Sequence, residues 1–371
     1  MSRLTVIGMG LIGGSIALGA MGSGRFSEVV GYDSDPAALE GAIRRGAVHR
    51  VAHSPEDAVW NSSLVVVAAP LDAFESIANS IAGSTPEGAV VTDVGSAKER
   101  VVAVGEEAFG PRFVGGHPMA GSERHGIDAA DPDLFRDAWW ILTPTPATSS
   151  LAYNRVTALA AALGARPVAL DPPAHDELVA RLSHLPQLVA GAVVEAASST
   201  PVERPLLTLA AGGFRDVTRI AAGHPDLWLS ILRGNEAAVL RALEAFQGTL
   251  TRLMQAMESG DWEEVRTFLA RARAARTQLF ARPDLPAEPA QVSVPAPDRP
   301  GVLAEVTTTA GELGANIEDL RIVHSTEGGH GRLDLVIAGR SEAERLAARL
   351  RAQGYRATVL QGGPEAGFSV D

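Results

Sequence analysis

The chain has 371 residues, 46% hydrophobic and 20% charged, enough for two or three globular domains with sizeable cores. Its 44 acidic residues outnumber 32 basic ones, and the formal net charge of −12 argues against a nucleic-acid partner, because phosphate binding needs a basic face. With no cysteine, disulfides, thiolate catalysis and cysteine-based zinc sites are excluded, and no metal site is expected.

The opening "MSRLTVIGMG" runs at once into a strand pattern, with no room for a signal peptide. No apolar run reaches the roughly 18 residues a membrane helix needs. No membrane association and a cytoplasmic location are expected. Residues 1–170 alternate short apolar runs with helical patterns. Strands are expected at Leu4–Ile7, Val29–Tyr32, Leu64–Ala68, Ala89–Thr92, Phe113–Gly115, Trp140–Thr143 and Pro167–Leu170. Several are near-continuous valine, isoleucine and alanine, as in parallel strands covered on both faces. Amphipathic stretches such as Pro36–Arg45 and Asp72–Ala82 lie between them. This alternation predicts a doubly wound α/β Rossmann domain.

Residues 171–280 read as all-helical. "AHDELVARLSHLPQLVAGAVVEAAS" spaces apolar residues by three and four, and "GNEAAVLRAL…RTQLF" reads as two helices broken at Gly260. The long apolar faces suit dimerisation. A proline-rich linker, 281–290, leads to a strand–helix–strand–strand–helix–strand pattern over 291–361, the ferredoxin-like α+β order. Residues 362–371 read as a tail.

"LTVIGMGLIGGSIALGA" carries Gly8, Gly10 and Gly13 in the G-x-G-x-x-G arrangement, after a strand and opening a helix. Gly8 makes the turn, Gly10 lets backbone approach a pyrophosphate, and Gly13 lets helix pack on strand. The helix start then offers free N–H groups to the anion. Asp33, 20 residues after Gly13, suits the ribose hydroxyls, and no arginine follows it in "YDSDP". NAD is therefore favoured over NADP. Leu11, Ile12 and Pro70 complete the candidate cofactor contacts.

Ligands bind at the carboxyl ends of parallel strands, where "VVTDVGSAKER" and "RFVGGHPMAGSE" fall. Ser96 and Glu99 form an S-x-x-E pattern, so Ser96 reads as a helix N-cap or as a residue facing a ligand. Lys98 is the one lysine of the chain. It is expected in the first helical turn, where the dipole disfavours a cation, so it reads as a solvated surface residue or as a site residue near cofactor or substrate carboxylate. His117 is expected just past its strand, and imidazole suits general-base work near neutral pH. Glu123, six residues on, could orient it. His184 lies on a helical apolar face and reads as core, interface or site. Arg215 and Arg219, four apart beside Asp216, form either a surface ladder or, with Trp228 near, an anion pocket.

Taken together, "GMGLIGGS", "DVGSAKE", "GHPMAGSE", "SHLPQ" and "GGFRDVTRIA…W" resemble the prephenate dehydrogenase family of tyrosine biosynthesis over residues 1–280. "DRPGVLAEVT…LGANIEDLRI" resembles an ACT domain, a small regulatory amino-acid-binding module. The resemblance implies a Rossmann domain, an all-helical dimerisation domain and an ACT domain, in a homodimer with the active site between the first two. It implies NAD-dependent oxidative decarboxylation of prephenate. In that reading His117 takes the proton of the ring C4 hydroxyl, Ser96 shares the contact, Arg219 binds a substrate carboxylate, and Glu123, Asp216 and Trp228 shape the pocket. His184, Gln187 and Lys98 join the substrate contacts. Gln187 stands where some prephenate-using members have a second histidine, which leaves arogenate or dual specificity open. The ACT resemblance implies tyrosine at a dimer interface, held by Asp298, Arg299, Pro300 and Gly301 with Asn316 and Ile317; a domain that only dimerises is the other reading. More distant alternatives are another NAD-dependent β-hydroxyacid dehydrogenase or imine reductase, and a non-enzymatic NAD and amino-acid sensor.

Overall fold

A computed structural model of the chain describes residues 3–121, 124–199, 212–279, 290–297, 302–315, 317–324 and 330–360. They form two compact units, Met1–Gln255 and Ala256–Asp371.

The first unit is built on an eight-stranded sheet of β1 (Arg3–Ile7), β2 (Glu28–Tyr32), β3 (Arg50–Val51), β4 (Leu64–Val67), β5 (Val90–Asp93), β6 (Phe113–Pro118), β7 (Trp139–Thr143) and β8 (Arg166–Ala169). Their order is β3-β2-β1-β4-β5-β6-β7-β8, a doubly wound sheet whose chain direction across the sheet reverses between β1 and β4. Strand side chains alternate between two buried faces. Leu4, Val6, Val66 and Val90 meet α1 (Leu11–Ser23), α2 (Pro36–Arg44) and α6 (Ser150–Ala162). Ile7, Val65, Val67 and Val91 meet α3 (Pro55–Val59), α4 (Phe74–Ala82) and α5 (Glu99–Phe109). Burying each such side chain contributes about 1.5–3 kcal/mol, which is why these strands read as continuous apolar runs.

Two features depart from the sequence expectation. β3 is only two residues long and leaves no periodicity to read. β7 runs antiparallel to β6, with His117 opposite Ile141. A parallel neighbour needs a crossover, usually a helix, and among the described residues the β6–β7 connection carries only the short turn Ile127–Ala129.

The helical part of this unit comprises α7 (Pro172–Val179), a wide π-helical turn Ala180–His184, α8 (Leu185–Ser199), α9 (Gly212–Thr218), a 3-10 turn Arg219–Ala222, α10 (Pro225–Gly234) and α11 (Glu236–Glu258). Asp171 caps α7 by accepting the Ala174 N–H at 3.1 Å, with Pro172 at the first helical position. The widened turn falls just before Pro186, whose ring crowds the carbonyl four residues back. The two compact units divide inside α11, and within the first of them α7 packs on α5 and β7.

In the second unit α12 (Trp262–Leu279) follows Gly260, which breaks the helix at φ +73°. Then come β9 (Ala290–Pro297), α13 (Val302–Glu312), β10 (Ile317–His324), β11 (His330–Ile337), α14 (Arg340–Ala352) and β12 (Thr358–Leu360). The antiparallel order β10-β11-β9-β12 is the ferredoxin-like arrangement. Val292, Val294, Leu333 and Leu335 from the sheet close a core with Val306, Leu346 and Leu350. Asp298, Arg299, Pro300, Gly301 and Asn316 lie outside the described residues, as does the 362–371 tail. Ile317 opens β10 opposite Ile337 and packs on that core. No helix among the described residues is long and apolar enough to cross a membrane.

Candidate active site

The three loop glycines have three different physical reasons. Gly8 has φ +96°, and a Cβ there would strike the Ala68 carbonyl. A Cβ on Gly13 would strike the Gly8 carbonyl. Around Gly10, by contrast, nothing lies within 4 Å, so the absent side chain leaves open space at the start of α1. Gly10 N-caps that helix with no side-chain hydrogen bond. Leu11 and Ile12 form its first turn. Asp33 stands just past β2, its carboxylate accepting the Met9 N–H at 2.6 Å and the Asp35 N–H at 2.9 Å, which ties the loop to the strand end. Pro70 is exposed just past β4. Open space, an uncapped helix start and a carboxylate at the strand end fit a dinucleotide.

Lys98 is fully buried, so neither a solvated surface position nor a direct substrate contact describes it. Its ammonium is held by the Asp93 carboxylate and by the Gly116 carbonyl at 2.9 Å. Asp93 also accepts the Gly116 N–H at 3.1 Å and the Gly95 N–H at 2.7 Å. The pair therefore grips both sides of the residue preceding His117. Burial lowers the Lys98 pKa, against the attraction of Asp93 and Asp176.

The Ser96–Glu99 capping box does not form. The N-cap of α5 is Lys98, and the capping group comes from α7: Asp176 accepts the Lys98 N–H at 2.7 Å and the Glu99 N–H at 2.9 Å. A carboxylate at a helix N-terminus gains from the dipole and from charge-assisted bonds, more than a local hydroxyl offers. Ser96 is left half-buried with no hydrogen bond to a described residue.

His117 lies within β6 rather than beyond it, because pairing with β7 extends the strand to Pro118. It is half-buried, with Nδ1 2.8 Å from Nε2 of His175 and the two rings edge-on. His175 is fully buried, and its Nδ1 lies 2.8 Å from Oδ1 of Asp176. Loss of hydration, then the nearby His175, Lys98 and His184, hold the His117 pKa well below the ordinary histidine value. Asn235, between α10 and α11, donates to the Asp176 carbonyl at 2.9 Å and lies 3.4 Å from Nδ1 of His184. His184 is buried in the wide turn, edge-on to Trp228 on α10, and burial lowers its pKa to about 4. Trp228 and Gln187 converge at Gly223, where a Cβ would run into the indole and come 3.3 Å from the Gln187 amide nitrogen.

One connected cluster thus joins His117, Lys98, His184, Trp228 and Gln187. Arg219 opens the 3-10 turn that packs on α8, and Arg219, Asp216 and Arg215 are exposed. Glu123 lies outside the described residues. Sequence reasoning missed Asp93, His175, Asp176 and Asn235. A signal for two of them exists: in "AHDELVA" the polar pair His175–Asp176 occupies the same helical face as buried Val179 and Ala180. Among the described residues no group of three His, Cys, Asp or Glu is arranged to hold a metal ion.

A family model described as "Prephenate dehydrogenase, nucleotide-binding domain" matches residues 16–169, one described as "Prephenate dehydrogenase, dimerization domain" matches 171–271, and an "ACT domain" model matches 290–354. The prephenate dehydrogenase of Bacillus subtilis is 32% identical over 336 residues, 89% of this chain and 90% of the relative. A cyclohexadienyl dehydrogenase of Zymomonas mobilis is 30% identical over 290 residues, 76% of this chain and 98% of the relative. The solved structure of the Aquifex aeolicus prephenate dehydrogenase, in complex with hydroxyphenyl propionate and NAD+, superposes with a TM-score of 0.71 at 31% identity, covering 75% of this chain and 98% of that one. By sequence over nine-tenths of its length and by fold, this chain belongs to the prephenate dehydrogenase family of oxidoreductases and carries a C-terminal ACT domain.

Proposed function

We propose that the protein catalyses the NAD-dependent oxidative decarboxylation of prephenate to 4-hydroxyphenylpyruvate in tyrosine biosynthesis, as a homodimer under feedback control by tyrosine at its ACT domain. The observation that carries this reading is His117: Nδ1 is engaged by His175 at 2.8 Å, which leaves Nε2 as the ring nitrogen for a ligand. A pKa held below the ordinary value keeps the imidazole neutral near pH 7, ready to accept a proton.

NAD, when bound, supplies the hydride acceptor. Gly8, Gly10, Leu11, Ile12, Gly13, Asp33 and Pro70 would hold it. His117 takes the proton of the C4 hydroxyl as that carbon is oxidised to a carbonyl. The ring carboxylate then leaves as CO2, its bonding pair completing the aromatic ring while the C4 oxygen takes back a proton. Product aromaticity supplies the drive, so the protein mainly orients its reactants. Ser96 has a hydroxyl without a described partner and would share the C4 hydroxyl contact. Arg219 would clamp a substrate carboxylate, with Glu123, Asp216, Trp228, His184 and Gln187 shaping the pocket. Lys98 acts from behind, through Gly116. Exposed Leu227, Leu229, Leu240 and Leu250 on α10 and α11 support dimerisation.

A second reading, arogenate or both substrates, is favoured by Gln187, whose amide offers donor and acceptor where the family resemblance expects a histidine in prephenate users. The two substrates share the reacting ring. NADH appearance with prephenate and then with arogenate, each with and without tyrosine, tests both readings. His117→Asn is expected to abolish turnover with NAD binding retained. Failure of both substrates in the wild type would overturn the proposal.

A further inference from the structure

We propose that Asp176 and His175 set the protonation pattern of His117, so that its Nε2 bears the lone pair the reaction uses. This rests on reading His117 as the proton acceptor.

Both Asp176 oxygens accept backbone N–H groups, Oδ1 from Lys98 at 2.7 Å and Oδ2 from Glu99 at 2.9 Å, at the positive end of α5. Asp176 is thus an acceptor, and the proton between its Oδ1 and His175 Nδ1, 2.8 Å apart, resides on the imidazole. With its hydrogen on Nδ1, the His175 imidazole offers the lone pair of its Nε2. That nitrogen lies 2.8 Å from His117 Nδ1, so His117 is the donor in this bond. The remaining nitrogen, Nε2, is bare. Reversing any link would put hydrogen on Nε2, where it would oppose the hydroxyl proton it should receive. His175 and Asp176 are 0% and 3% exposed, so water does not compete for either bond. The backbone is held to match: Asp93 and Lys98 grip Gly116, and Asn235 holds the Asp176 carbonyl. When His117 accepts the proton, its Nδ1–H bond to His175 persists, and the new charge faces a lone pair backed by a carboxylate.

The test reads ring nitrogens directly, by 15N NMR of the histidine-labelled full-length enzyme with NAD+ bound. His117 is expected to carry hydrogen on Nδ1 and none on Nε2. Asp176→Leu leaves His175 Nδ1–H without its acceptor, so the pattern is no longer held; kcat should fall by about 10²- to 10⁴-fold with KM and NAD affinity held within about threefold. His175→Phe, which offers no acceptor, should lose as much. His175→Gln can accept from His117 while donating to Asp176, and should return kcat to within about tenfold of wild type. This rescue separates positioning from mere packing, and the two His175 variants decide the matter if Asp176→Leu, which removes the α5 cap, fails to fold. Wild-type hydrogen on His117 Nε2, or wild-type turnover by His175→Phe, would sink the proposal. The expected NMR pattern in an enzyme inert toward prephenate and arogenate would uphold the protonation pattern while overturning the functional reading.

Discussion

At His117 the surroundings decide the pH response. Burial, His175, Lys98 and His184 all disfavour its cation, and Asp176 reaches it only through His175. The acceptor form therefore persists to pH values well below the ordinary 6.5, so kcat/KM should stay level as pH drops through 6.5 and decline only further down. A pH–rate profile with its acid limb at 6.5 or above would contradict this. Lys98 yields a second prediction. It and Asp93 are buried together, so Lys98→Met should cost about 3–5 kcal/mol by leaving a lone buried carboxylate, measurable by urea unfolding. Lys98→Arg should also lower Tm, because the compact ammonium fits against Gly115 and Gly116 where a planar fork does not. An unchanged Tm would make the single lysine an accident. His117 was legible from its glycine-flanked strand end. Its partners were not, because a His–Asp pair on a helix acquires meaning only from what lies across the packing interface.

At the level of elements, α1 separates fold from ligand within six residues. Gly13 is closed in by Gly8 and Ala68, so Gly13→Ala should destabilise by about 1–3 kcal/mol. Gly10 has a backbone that alanine adopts, φ −79° and ψ −156°, and free space around it. Gly10→Ala should leave Tm unchanged yet weaken NAD binding by about tenfold or more, since the methyl enters the space assigned to the pyrophosphate. Paired melting and NAD titrations check both. The long strands were readable because burial on both faces writes itself as apolar runs. The cap of α5 was misread because a local serine pattern lost to a carboxylate 77 residues away in the chain. β3 and the reversal at β7 left no trace, since pairing direction depends on the connection and not on the strand.

Across the whole molecule, the ferredoxin-like segment has its own sheet and its own core, and its strands and helices alternate in a recognisable order along the sequence. Its effector residues were read from resemblance alone. A chain ending at Leu279 is expected to oxidise prephenate but no longer respond to tyrosine, whereas the full chain slows; equal inhibition of both would remove the ACT domain from the regulatory role. Asp176 has a consequence for biosynthesis as well. Every element of the parallel sheet and its glycine loop leaves the ribosome before residue 176 does. The growing polypeptide can therefore complete its cofactor cradle while the imidazole on β6 has no one to aim it. On the proposed roles of Asp176 and His175, competence arrives only when α7 docks, and a chain released before residue 176 is expected to show no dehydrogenase activity.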